Sequence, residues 1–462
     1  MGYHTRIIDA YLQEWSHQTY HKPILLRGAR QVGKSSAVRN LGKSFKNFVE
    51  INFEKNPEYK EVFVQNLDVG RIVSQLSLLS NQNIKDQDTL LFFDEIQECK
   101  EAIMSLRFFK EERPGLHVIA AGSLLEFALE ELPTFGVGRI HSMFMYPMTF
   151  DEYLMANGEN QLIEIRNQST NKNPLPDILH KKLVNYFRNY IIIGGMPEVV
   201  DRWVKTHDYL SCQEIQDDIL LGYEDDFSKY RKKVDPTLLR NTFRSAANQL
   251  TEKFTYSSVV GNYKSYEVKK ALSLLIRAGL LVPVVRTYAN GLPLGAETDE
   301  SYKKILVLDS GLTLRLLQFT TGDITHLISD ILNLPPGELV NKGSLTEMIA
   351  GLEILRYSNP NLRHEIFYWI RQEKNATAEV DYVISTQGKI LPIEIKSGVQ
   401  GGMKSMWIFM DTKDVNLGVR SSLENFGLLV SPNKDTDKRV LICPLYGLSQ
   451  LARLLTEINE EG

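Results

Sequence analysis

Residues 24–36, Ile-Leu-Leu-Arg-Gly-Ala-Arg-Gln-Val-Gly-Lys-Ser-Ser, constrain the fold of this chain more than any other stretch. Ile24 to Leu26 read as the end of a buried strand, and residues 36–41 can continue as a helix. Between them, Gly28, Gly33, Lys34 and Ser35 fit the spacing G-x-x-x-x-G-K-[ST]. The chemistry explains the residue types. Glycines let the backbone turn tightly and aim successive N–H groups at phosphate oxygens, and the helix N-terminus adds partial positive charge. Lys34 can reach the β- and γ-phosphates, and the Ser35 hydroxyl can ligate Mg²⁺. The expected nucleotide site is therefore Gly28, Ala29, Arg30, Gln31, Val32, Gly33, Lys34, Ser35 and Ser36, holding ATP with Mg²⁺.

A second signature follows at a single-domain distance. Thr89-Leu-Leu-Phe-Phe-Asp94-Glu95 is an apolar run ending in paired acids. Such a run reads as a buried parallel strand that delivers carboxylates to its C-terminal edge, where ligands sit in open α/β sheets. Asp94 is expected in the Mg²⁺ shell and Glu95 beside the attacking water. His117 to Gly122 reads as another buried strand, ending at Ser123. Ser123 suits a bond to the γ-phosphate or the water, and it equally suits a helix cap with Glu126 three residues on. Arg139, after Gly138, is a candidate phosphate contact in its own subunit or a neighbour's.

Composition excludes several classes. With 462 residues the chain has room for about three domains. Its net charge of -4 gives no overall drive toward nucleic acid, so such binding must come from local patches. Three scattered cysteines, Cys99, Cys212 and Cys443, make neither a disulfide framework nor a metal cluster. They suit a reducing cytosol, and no apolar run approaches a membrane span, so a cytoplasmic protein without membrane contact is expected.

The remaining chain changes character twice. Residues 156–175 read as a polar surface loop, and residues 178–230 as mostly helical, with a break at Gly194-Gly195. From Pro236 the order is helix, short helix, helix (Ser265 to Ala278) and hairpin (Leu280 to Thr287 with Lys303 to Leu308), the winged-helix order. Lys264, Lys269, Lys270 and Arg277 could then face phosphates. A last domain starts near Pro335-Pro336-Gly337 and opens with a helix carrying Glu347. Gln387-Gly388 reads as a two-residue hairpin loop. It would pair Thr386 with Lys389 and Asp381 with Glu394, placing both carboxylates and Lys396 on one sheet face. That arrangement suits a divalent ion held by oxygens, or equally an ion-pair cluster.

These stretches together resemble a large prokaryotic family of AAA+ superfamily ATPases. The matching pieces are Gly28 to Ser35, Phe93 to Ile96, Ala121-Gly122-Ser123, Gly138-Arg139, Tyr146 to Glu152, and Ile193 to Glu198. The resemblance implies an α/β P-loop NTPase core with a parallel sheet at 1–155, a helical lid at 156–234, a winged-helix segment at 235–334 and a C-terminal α/β restriction-endonuclease-like domain at 335–462. In the last, Glu347, Asp381, Glu394 and Lys396 match the PD-(D/E)xK nuclease signature, and a second divalent ion is implied there. The lid offers no convincing arginine of the second-sensor type, which leaves the need for a neighbouring subunit in a homo-oligomer open. Two functions follow: an ATPase acting on DNA, or a nucleotide-dependent switch that recruits a protein partner and carries a non-cutting C-terminal domain.

Overall fold

The computed structural model describes the chain except residues 1, 124, 131–137, 232, 319–341, 374–375, 398–401, 432–436 and 461–462. The expected domain start at Pro335-Gly337 lies outside the described residues. Contacts divide the chain into two units: residues 1–148 with 277–280 and 358–363, and the remainder.

The first unit is built on strands β1 (Ile24–Arg27), β2 (Asn47–Asn52), β3 (Thr89–Asp94), β4 (His117–Ala121) and β5 (His141–Phe144). They form one sheet in the order β2-β3-β4-β1-β5, with every pairing parallel. Both faces are covered, which is why β3 and β4 are buried at every residue and read as unbroken apolar runs. Phe53, Phe63, Phe93 and Phe109 pack edge to face or tilted at the centre of one apolar layer. This strand order sets the C-terminal ends of β1, β3 and β4 side by side, where loop, acids and Ser123 meet. The α/β core with a parallel sheet is as the sequence implies.

The second unit combines helices with an eight-stranded mixed sheet. Its strands are β6 (Leu281–Thr287), β7 (Thr298–Val307), β8 (Ile366–Glu373), β9 (Ala376–Thr386), β10 (Lys389–Ile395), β11 (Leu417–Ser422), β12 (Gly427–Val430) and β13 (Arg439–Pro444). The order is β12-β13-β11-β10-β9-β8-β6-β7. The β6–β7 hairpin is thus no free-standing wing: β6 pairs parallel with β8 and carries β7 to the edge of the same sheet. Helices Pro236–Asn248 and Ser265–Arg277 form, while the short element between them is a single 3-10 turn, Tyr256–Ser258.

Residues 156–175 differ from the loop reading. Asn160–Gln168 is a helix, anchored because Leu162 and Arg166 are buried four residues apart. Arg166 is fully enclosed, forking onto Asp151 and donating to the Tyr446 carbonyl. Amide-rich composition signals a loop; one buried arginine outweighs it. The Gly194-Gly195 break has a structural cause. Gly194 has φ +74°, and a Cβ there would stand 2.1 Å from Asp309 Oδ1. The Gly195 N–H donates to Asp309 Oδ2 at 2.6 Å, and Arg356 pairs with the same buried carboxylate at 3.6 Å.

Candidate functional site

The phosphate loop leaves β1 at Arg27 and enters the helix Lys34–Gly42. Gly28, Gln31 and Gly33 all have positive φ. A Cβ on Gly28 would meet the Met145 carbonyl oxygen at 2.1 Å, so only glycine fits this turn. Ala29 and Val32 are buried, Arg30 is half-buried, and Gln31 and Ser36 are exposed. Lys34 folds back over its own loop, and its Nζ donates to the carbonyls of Gly28 at 2.8 Å and Ala29 at 2.7 Å. Burial lowers this lysine to about 8, although Glu95 and Asp94 pull it upward. The Ser35 hydroxyl donates to Asp94 Oδ1 at 2.8 Å. Asn52, at the end of β2, donates to Asp94 Oδ2 at 3.1 Å. Burial raises the Asp94 carboxyl above its ordinary range, opposed by the Ser35 bond. Ser35 and Asp94 therefore present adjacent hard oxygens, the donor set that Mg²⁺ takes.

Glu95 holds a left-handed conformation, φ +48° and ψ +46°. That twist turns its side chain from the strand toward β4, where the Ser123 hydroxyl donates to Glu95 Oε2 at 3.4 Å. Gln97 donates to the same oxygen at 2.6 Å. A Cβ on Gly122 would lie 2.0 Å from Gln97 Oε1, so Gly122 makes room for this amide. The structure thus brings Lys34, Ser35, Asp94, Glu95 and Ser123 to one sheet edge. Arg139 is placed differently: half exposed, it pairs with Glu111 of its own chain.

Sequence reasoning missed three supports of this site. Gln97 carries a faint signal, two residues past the acid. Arg6 gave none; its guanidinium donates to the carbonyls of Val32 at 2.8 Å and Tyr146 at 2.7 Å, tying the N-terminus to the loop. Gly279, at φ +74°, lies so near the loop that a Cβ would stand 3.2 Å from the Ala29 nitrogen.

The C-terminal candidates form a second cluster. Gln387 and Gly388 both have positive φ, as a two-residue hairpin turn requires, and Thr386 pairs with Lys389. The pairing runs to Ile393 opposite Tyr382 and ends one residue short of the expected Asp381–Glu394 pair. Asp381 Oδ2 accepts the Ile395 N–H at 2.7 Å, and Lys396 Nζ donates to Glu394 Oε1 at 2.6 Å. The structure adds two residues. Glu379, two before Asp381 on β9, shares its face, a spacing the sequence displayed. Lys304 arrives from β7 and had no sequence signal. Glu347, Glu379 and Asp381 each offer an oxygen within 4.8 Å of the others. Lys304 is 3% exposed; it donates to Glu347 Oε1 at 2.7 Å and pairs with Glu379. Burial alone would lower Lys304, but Glu347, Glu379 and Asp381 outweigh it and hold the ammonium above the ordinary lysine range. Burial raises Glu347, Asp381 and Glu394 above theirs. The oxygens are of the kind a divalent ion takes. With an ammonium already bonded to two of the three acids, however, these residues as arranged do not fit that ion.

Comparison with known families matches residues 20–154 to an AAA domain, and residues 184–323 and 342–445 to two domains of unknown function, DUF8612 and DUF4143. Among solved structures, the chain is similar to a Walker-type ATPase of Pyrococcus abyssi at 15% identity and a TM-score of 0.44, covering 68% of this chain and 96% of that one. It is also similar to the Orc1 protein of Aeropyrum pernix in complex with DNA at 12% identity and a TM-score of 0.28, covering 69% and 93%. Overlaps this loose describe a likeness and carry nothing about activity. No curated protein matches the chain. The AAA match on a phosphate loop with this geometry makes the chain an ATP-binding ATPase. Among the described residues, no helix is long and apolar enough to cross a membrane.

Proposed function

We propose that the chain hydrolyses ATP to act on DNA, through a nuclease-like C-terminal domain that binds without cutting. The observation that carries the ATPase half is the joining of Ser35 to Asp94 and of Ser123 to Glu95 at one sheet edge. Mg²⁺ held by Ser35 and Asp94 would neutralise phosphate charge there. Lys34 orients the phosphates, and Glu95 holds the proton-accepting carboxylate for the attacking water.

Residues 156–234 serve as the lid and 335–462 as the nuclease-like domain, with 235–334 a departure from the winged helix whose β6–β7 hairpin joins the large sheet, in a cytoplasmic homo-oligomer. The DNA assignment is supported by Lys264, Lys269 and Lys270, all exposed on or beside the helix Ser265–Arg277, next to Tyr266, which is 66% exposed. Cations with an exposed ring suit a phosphate backbone and its bases. The second reading, a switch that recruits a protein partner, shares the non-cutting domain, which the Lys304 contacts favour. ATP turnover measured with duplex, single-stranded and forked DNA separates the two. Stimulation by at least one form is expected; turnover indifferent to every form leaves the switch.

A further inference from the structure

We infer that Lys304 is the resident cation of the Glu347–Glu379–Asp381 cluster and that it shuts this site to divalent metal. The inference deepens the non-cutting half of the function proposed above and rests on it.

Lys304 lies on β7, outermost in the sheet, yet its ammonium is buried among acids from the helix Lys342–Arg356 and from β9. The ammonium also lies over the Tyr368 ring, with Nζ 4.9 Å from its centroid, a cation–π contact. Only 3% of the side chain is exposed, so this is no surface pair competing with water.

Oxygen ligands bind a divalent ion at about 2.0–2.6 Å, and an ammonium at about 2.7–2.9 Å. Lys304 Nζ, at 2.7 Å from Glu347 and bonded also to Glu379, fills the space such an ion would need. Two cations cannot share it. A metal must therefore expel a side chain that is covalently tethered and always at hand. Beside the cluster, Glu394 already carries a cation on Oε1, from Lys396 at 2.6 Å, while its Oε2 accepts no hydrogen bond. The hairpin's fusion to the sheet is thus what sets a lysine where the nuclease-like arrangement alone would set an ion.

The test is a Mn²⁺ titration of the full nucleotide-free chain, read by electron paramagnetic resonance. Wild type and Asp381→Asn should bind Mn²⁺ identically up to millimolar concentration. Lys304→Met, which keeps the stem and removes the ammonium, should gain a bound Mn²⁺ that the Lys304→Met/Asp381→Asn double variant lacks. An Asp381-dependent Mn²⁺ site in wild type overturns the inference, and this comparison does not need the Lys304 variant to fold. A folded Lys304→Met chain without the gain overturns it as well. Stimulation of ATP turnover by DNA is a separate readout, so failure of the functional reading and failure of the lysine assignment remain distinguishable.

Discussion

Lys34 spends its charge on its own loop, on the Gly28 and Ala29 carbonyls, and those bonds must be exchanged for phosphate when ATP binds. Removing the ammonium in Lys34→Ala should weaken ATP binding by roughly 1.5–3 kcal/mol, the range for hydrogen bonds to a charged group. Nucleotide titration measures this, and unchanged affinity would remove Lys34 from the site. Glu95→Gln should keep binding and trap ATP unhydrolysed; turnover at the wild-type rate would show that Glu95 does not serve the water. A pH dependence follows from burial, which brings Lys34 to about 8. Phosphate favours the ammonium and raises that value on binding. Below it the lysine is charged before and after, and affinity is flat. Above it binding must take up a proton, so affinity should fall by up to about tenfold per pH unit. A flat ATP affinity on both sides of pH 8 would contradict the assigned role.

The N-terminal helix, Ile7–Ser16, is fixed to the parallel sheet through a ring cluster. Trp15 meets His21 and His117 edge-on at 4.9 and 5.1 Å, and the two imidazoles stack at 3.9 Å. Burial, with His21 beside it, lowers His117 from its ordinary value of 6.5 to about 4. The folded state thus requires neutral His117. Its contribution is complete above pH 6.5 and lost as pH falls toward 4, about 3 kcal/mol over that window. Thermal melts should show wild type losing stability across it, and His117→Phe losing less; equal acid slopes would exclude this cause. The elements legible in sequence are those whose signal is local. The phosphate loop is marked by four residues, β3 by an unbroken apolar run, and the Asp381–Glu394 patch by a Gln387-Gly388 turn that fixes its register. Arg6 and Lys304 were not legible, because each acts on a partner that only the tertiary fold brings near. The helix Asn160–Gln168 was hidden for the same reason: Arg166 is held by Asp151 and Tyr446, 15 and 280 residues away.

At the scale of the whole molecule, Arg139 is the residue whose partner is in question. In its own chain it turns to Glu111, with 53% of its side chain exposed and 39% of the glutamate's. So exposed a pair is worth at most about 1 kcal/mol and is easily released. The phosphate-loop residues, in contrast, hold one another at the sheet edge. An arginine free to leave and without a bond to those residues serves a phosphate best in a neighbouring copy, where it would add charge only on assembly. Arg139→Ala and Glu95→Gln proteins should each be nearly inactive alone. Mixed in equal amounts, an interface works when an Arg139→Ala subunit supplies Glu95 and its neighbour, the Glu95→Gln subunit, supplies Arg139. Random assembly gives that arrangement at roughly a quarter of interfaces, so roughly a quarter of wild-type turnover should return. Light scattering must show the mixture to be assembled. Intact oligomers that recover no turnover would exclude action across the interface and return Arg139 to its bond with Glu111.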